Sequence, residues 1–251
     1  MSRRAPPVGA WMAERQPIPG LERLVARFGL SSGQASQLGR YGEILATDEH
    51  APTTVRDPVR VRDDHLADAL VGLELQLIRD ARELADLGAG AGVPGIPLAI
   101  ALPGLHVSLV EGNGRKCEFM RSAAAELGLT NVDVIHGRAE TWAAGIGCMD
   151  VVSARALAPL DIVAEYAAPL LRLGGALVAW RGQRDPEDEA AGRRAAEILG
   201  LSIEEPLQVE PYARALNRYL HVMAKSSPTP DRFPRRDGVA RKRPLGRSQA
   251  S

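Results

Sequence analysis

The chain has 251 residues, 45% hydrophobic and 25% charged, which is the balance of a soluble globule with a core to bury. No stretch approaches the ~20 apolar residues of a membrane span, and the start has no apolar run of the kind a secretory signal needs. The two cysteines, Cys117 and Cys148, form no CxxC pair, which excludes a disulfide scaffold or a cysteine zinc site and suits a reducing cytoplasm.

The zero net charge is unevenly spread. From Lys225 to Ser251 eight basic residues face only Asp231 and Asp237, so this stretch carries +6 and the rest of the chain −6. A basic, Pro-rich tail over residues 226–251 reads either as a phosphate-binding arm or as a solvated end without regular structure.

In chain order, residues 1–20 are Pro-rich and read as a flexible start. Residues 21–80 read as helical: Leu21, Leu24, Val25 and Phe28 form a stripe ended by Gly29, a second helix covers Gly33–Ala46, and Leu66, Leu70, Leu73 and Leu77 share one face of a third. After residue 80 the rhythm changes. Strands are predicted at Glu83–Leu87, His106–Glu111, Val132–Ile135, Asp150–Ser153, Ala176–Trp180, Ser202–Val209 and Tyr219–Ala224, with helices such as Arg115–Leu127 and Pro159–Leu171 between them. This alternation implies βαβ crossovers and an α/β fold: seven strands, mainly parallel, covered on both faces. The last two strands have no helix between them and should pair antiparallel through a turn at Pro211.

The strongest local signal is Asp86-Leu-Gly-Ala-Gly-Ala-Gly-Val-Pro-Gly95, which follows a strand and opens a helix. Gly88, Gly90 and Gly92 permit positive φ and let a ligand lie against bare backbone. Two readings compete. Gly90, Gly92 and Gly95 satisfy the dinucleotide fingerprint GxGxxG, with Glu111 placed to hold a ribose. Asp86 at the strand end, however, would repel a pyrophosphate and attract a cationic ligand such as S-adenosyl-L-methionine (AdoMet), whose ribose Glu111 could equally hold. Further along, Gly137-Arg138-Ala139-Glu140 follows the third strand, where it would border the adenine, and Arg155 follows the fourth, at the edge that faces the reacting part of a substrate.

Missing motifs narrow the chemistry. No Asn/Asp-Pro-Pro-aromatic run follows the fourth strand, which argues against methylation of an exocyclic amine. Neither cysteine follows a proline in a strand-end loop, and three lysines make a lysine-based 2′-hydroxyl methyltransferase hard to build. A target that loses no proton, such as guanine N7, fits what remains; alignment and proximity would then carry the reaction.

Together the Asp86–Leu98 loop, Leu-Val-Glu111, Arg115-Lys-Cys-Glu-Phe119, Gly-Arg-Ala-Glu140, Ser-Ala-Arg155-Ala, Val55-Arg-Asp-Pro58, His65-Leu-Ala-Asp68 and the tail's Phe233-Pro-Arg-Arg-Asp-Gly238 and Arg241-Lys-Arg-Pro244 resemble the RsmG (GidB) family of bacterial 16S rRNA guanine-N7 methyltransferases. The resemblance spans about residues 20–245. It implies a Rossmann-like class I methyltransferase domain over 81–225, AdoMet contacts at Gly88, Val93, Ala139, Glu140 and Arg155, no metal, and 7-methylguanosine at guanine 527 as product. The 16S rRNA or the small subunit would be the partner, with the tail and Arg56, Arg60 and Arg62 on its phosphates. Where the family carries Asn-Leu-Thr, this chain has Ala51-Pro52-Thr53, so no asparagine is available there. His65 and Asp68 read as packing and capping residues of the third helix. A nicotinamide-dependent oxidoreductase and a catalytically inactive RNA-binding protein of the same fold are the alternatives.

Overall fold

The computed structural model describes residues 18–247; the predicted loose start, apart from its last three residues, and the final four residues of the tail lie outside them. Eight strands form one sheet: β1 (Glu83–Leu87), β2 (His106–Glu111), β3 (Val132–His136), β4 (Met149–Arg155), β5 (Leu171–Arg181), β6 (Leu201–Ile203), β7 (Leu207–Gln208) and β8 (Tyr219–Lys225). The order is β3-β2-β1-β4-β5-β8-β6, with β7 also beside β8. β1 to β5 run parallel, and β8 is antiparallel to β5, β6 and β7.

The mainly parallel sheet with an antiparallel last strand is as predicted, but it has eight strands where seven were expected. The predicted strand Ser202–Val209 is two short ones, because Pro206 between them has no amide hydrogen to give the ladder. Strand order reverses about β1, so the carboxyl ends of β1, β2 and β4 open a crevice there.

Side-chain alternation along β1 sorts the core. Leu84 faces the layer holding the N-terminal helices and the helix Gly95–Ala101; Ala85 and Leu87 face the layer of Leu160–Ala167 and Pro186–Leu199. Asp86, in step with Leu84, therefore points beneath Gly95–Ala101.

The N-terminal helices Leu21–Arg27 and Ser32–Thr47 match the predicted stripes, and Ser31 caps the second in a capping box with Gln34. The third predicted helix is broken into an α turn (Pro58–Val61), a π turn (Arg62–Ala67), a short α piece (Asp68–Leu70), a 3₁₀ turn (Val71–Glu74) and a last α turn (Gln76–Arg79). Its carbonyls are recruited sideways: Arg155 donates to the Asp64 oxygen at 2.8 Å and Trp180 Nε1 to the Asp68 oxygen at 2.8 Å. Gly72 lies so close under Trp180 that a Cβ there would stand 2.7 Å from the indole. The leucine spacing survives these detours, so periodicity alone reads one helix.

Arg56, expected on phosphate, donates instead to the carbonyls of Leu45 and Ala51 at 3.0 Å each, and so satisfies the end of helix Ser32–Thr47. Arg60 pairs with Asp64 at 2.9 Å and Arg62 with Asp63 at 2.7 Å.

The tail departs from the reading of a solvated end. Residues 226–247 return over the domain with a short helix, Val239–Lys242, and bury Phe233 and Ala240. Lys225 is itself buried; its ammonium donates to the Ala168 carbonyl at 2.9 Å. Arg235 forms an ion pair with the buried Glu165.

Candidate functional site

The glycine loop leaves β1 over the carboxyl end of β2, where the amides of Gly88 and Ala89 donate to the Val110 carbonyl at 2.8 and 3.3 Å. Gly88, Gly90 and Gly92 have φ of 65°, 61° and 90°, the left-handed region that an L side chain resists. Tyr41, fully buried on the second helix, donates its hydroxyl to the Ala91 carbonyl at 2.6 Å. The N-terminal helices thus brace the loop.

Asp86 does not face the crevice as the sequence reading expected. Its side chain is 1% exposed; Oδ2 accepts from the Gly95 amide at 3.0 Å and Oδ1 from the Ser153 hydroxyl at 3.0 Å. Burial pushes its carboxyl up to about 6, against the hydrogen bonds from Gly95 and Ser153. The period-two pattern of β1 turns this residue inward, so it fixes the loop-to-helix junction.

Two cavities meet at Gly88. The first, about 460 Å³, lies over β1 and β2 and is lined by Gly88, Glu111, Ala139, Glu140, Leu157 and Tyr166, among others. Glu111 ends β2 with Oε2 accepting from the Gly90 amide at 3.1 Å and Oε1 from the Asn113 amide at 2.9 Å. Each oxygen keeps a lone pair for a further donor.

The second cavity, about 610 Å³, holds Gly90, Val93 and Arg155 from the sequence reading, together with His65, Asp68, Trp180 and Arg218. Arg155 donates to Asp68 Oδ2 at 2.9 Å and to His65 Nδ1 at 3.2 Å, while Arg218 holds Asp68 Oδ1 at 3.2 Å. Asp68 thus joins two arginines. His65 Nε2 lies 2.8 Å from the Thr53 hydroxyl, so a proton on Nε2 leaves Nδ1 free to accept from Arg155. Burial, helped by the Arg155 charge, lowers the imidazole to about 4 and keeps it neutral at physiological pH. Ala156, next to Arg155, has φ 52°, a strained value at the cavity wall.

Seven of the eight predicted site residues therefore fall in two adjoining cavities, and Asp86 supports them from below. His65 and Asp68 are wall residues of the second cavity; the N-terminal helix cap expected of Asp68 is not made. The sequence reading missed Trp180 as well. It sits near the carboxyl end of β5, so the strand-end rule that singled out Arg155 could have found it.

The residues present fit a nucleoside-bearing methyl donor: a strand-end carboxylate stands beside side-chain-free backbone at a cavity large enough for an adenosine. Among the described residues, no group of three or more His, Cys, Asp or Glu could hold a metal ion, and no helix is long and apolar enough to cross a membrane.

Comparison with known proteins places this geometry. The family model for rRNA small subunit methyltransferase G (GidB) matches residues 34–214. A ribosomal RNA small subunit methyltransferase G from Chloroflexus aggregans is 42% identical over 86% of this chain and 92% of its own; one from Rubrobacter xylanophilus is 39% identical over 86% and 85%. A SAM-dependent methyltransferase structure from Aquifex aeolicus superposes with TM-score 0.52 at 17% identity, covering 66% of this chain and 93% of the other, and shares the fold. Loop, strand-end carboxylate and sheet order thus agree with the sequence match, and the chain belongs to the rRNA small subunit methyltransferase G family.

Proposed function

We propose that this methyltransferase takes AdoMet in the first cavity and methylates N7 of a guanine in 16S rRNA, guanine 527 being the position that the family resemblance implies. The observation that carries the reading is the family match over residues 34–214, joined to a glycine loop and Glu111 at one adenosine-sized cavity. AdoMet supplies an electrophilic methyl on a sulfonium. Guanine N7 has a free lone pair, so the protein need only align the two partners. Gly88 marks the passage between the cavities, and the arginines tied by Asp68 fix the wall of the second, where the guanine would enter. Arg155 serves as a positioning group there.

The nicotinamide reading loses its anchor. A pyrophosphate needs the amides at the helix start, and the Gly95 amide is already taken by Asp86. The partner is 16S rRNA or the small subunit, met through phosphates by exposed arginines. Two free cysteines, one buried and one exposed, accord with a reducing cytoplasm.

Incubation of 16S rRNA and of small subunits from cells lacking the gene with AdoMet and the protein, followed by mass spectrometric mapping, tests the reading. The expected product is one 7-methylguanosine at the proposed position. Binding without methyl incorporation would favour the inactive RNA-binding protein, and methylation at another atom would overturn the N7 assignment.

A further inference from the structure

The part of the chain beyond the family match contributes to the first cavity. From Phe233 the sequence runs Phe-Pro-Arg-Arg-Asp-Gly-Val-Ala-Arg-Lys-Arg, outside the matched residues 34–214. Phe233 and Ala240 are buried against the layer of Leu160–Ala167, and Gly238 turns the chain at φ 72° between them. Three polar contacts fix this segment to the cavity rim. Arg235 pairs with the buried Glu165, Asp237 pairs with Arg138 at 2.7 Å, and the Gly238 amide donates to Glu140 Oε1 at 3.4 Å. Arg138 and Glu140 themselves line the cavity. The turn then carries Arg241 to the rim, where its guanidinium donates to the Leu157 carbonyl at 3.3 Å and forms part of the lining beside Tyr166.

We propose that Arg241 is a cofactor-binding residue and that the segment 233–243 is the outer wall of the adenosine cavity. This rests on the AdoMet reading above and adds to it a residue that lies far along the chain from the glycine loop. A planar guanidinium at the mouth of an adenosine-sized cavity can stack on a neutral purine, a contact that does not involve the sulfonium or the amino acid end of AdoMet. The basic tail accordingly has two tasks: its inward arginines complete the cofactor site, and only its outward ones remain for phosphate.

Isothermal titration of the full chain with AdoMet, S-adenosylhomocysteine and 5′-methylthioadenosine tests this, comparing wild type with Arg241→Ala and with Arg236→Ala. Arg236 is exposed on the same segment and is not part of the cavity lining. Arg241→Ala should weaken all three ligands by a similar factor, about two- to thirty-fold, with the thermal midpoint of the ligand-free protein unchanged. Arg236→Ala should bind all three as wild type does. Wild-type affinities in Arg241→Ala would overturn the proposal, as would a loss for AdoMet that spares methylthioadenosine. Equal losses in the two variants would also overturn it. Failure of the wild type to bind any of the three nucleosides would instead sink the AdoMet reading itself.

Discussion

Asp86 accepts the amide of Gly95 at 3.0 Å, a side chain on the last turn of β1's ladder holding the first residue of the next helix. Both ends of the glycine loop are thereby pinned to one buried carboxyl. Its folded-state value of about 6 stands above an ordinary 3.8, so the folded protein binds the extra proton between these values and stability falls as pH rises through that window. Above pH 6 the ionised group costs about 3 kcal/mol, taking about 1.4 kcal/mol for each pH unit. Asp86→Asn keeps an acceptor for Gly95 and a partner for Ser153. We expect it to gain stability over wild type from pH 4 to 6 and hold that gain at neutral pH, measured by urea unfolding. AdoMet affinity should stay within about threefold of wild type, because the carboxyl touches neither cavity; a much larger loss would return the charge to cofactor recognition.

His65 should behave with the opposite sign. Its imidazole is held neutral down to about 4, whereas in the unfolded chain it takes a proton near 6.5. The unfolded state therefore binds more protons in this window, and the stability contributed by neutral His65 is lost as pH falls. His65→Gln can accept from Arg155 and donate to Thr53 without titrating. The difference in unfolding midpoint between variant and wild type should move in the variant's favour from pH 7 to pH 4. Parallel curves would show that the ring is already free to charge.

What could be read from sequence was what is local. The alternation of strands and helices, the glycine loop and Glu111 follow from short-range periodicity and spacing, and they placed most of the first cavity correctly. The inward turn of Asp86 follows from its step with Leu84, yet a strand-end position seemed to promise exposure. Arg155, His65 and Asp68 are some ninety residues apart and meet only because β4 emerges beneath the broken helix. Arg235 and Glu165 are separated by 70 positions, so prolines and charge made the tail look loose when a buried ion pair anchors it. In each case the deciding contact is long-range, and composition does not report it.

Gly88 has two separate reasons to remain glycine. Its φ of 65° disfavours any L side chain by about 1–2 kcal/mol, and a Cβ would stand 2.6 Å from Leu157 Cδ1. Gly90 shares the first reason alone, since the nearest atom to its Cβ is 3.7 Å away. Gly88→Ala should therefore destabilise more than Gly90→Ala in thermal melts. It should also drive Leu157 into the adenosine cavity and weaken AdoMet at least about tenfold, a threshold equal to roughly 1.4 kcal/mol. Adding Leu157→Ala to Gly88→Ala should restore much of the affinity; no recovery would mean that backbone strain, not the leucine, is responsible.

The tail's share in RNA binding needs a finer cut than removal of residues 226–251. Deletion would expose Glu165, uncover the apolar surface under Phe233 and strip Arg241 from the cavity rim, so cofactor and RNA affinity would fall together. Arg236, Lys242 and Arg243 are exposed and absent from that lining. Each phosphate contact on single-stranded RNA adds about 0.7 to the slope of log K against log salt. Replacing all three by alanine should lower the slope by about two when a 16S rRNA fragment is titrated across salt concentrations, with AdoMet affinity unchanged. Equal slopes would remove the tail from the RNA interface and leave it solely as a wall of the cofactor site. A changed AdoMet affinity would show instead that the outward arginines help to hold the segment in place.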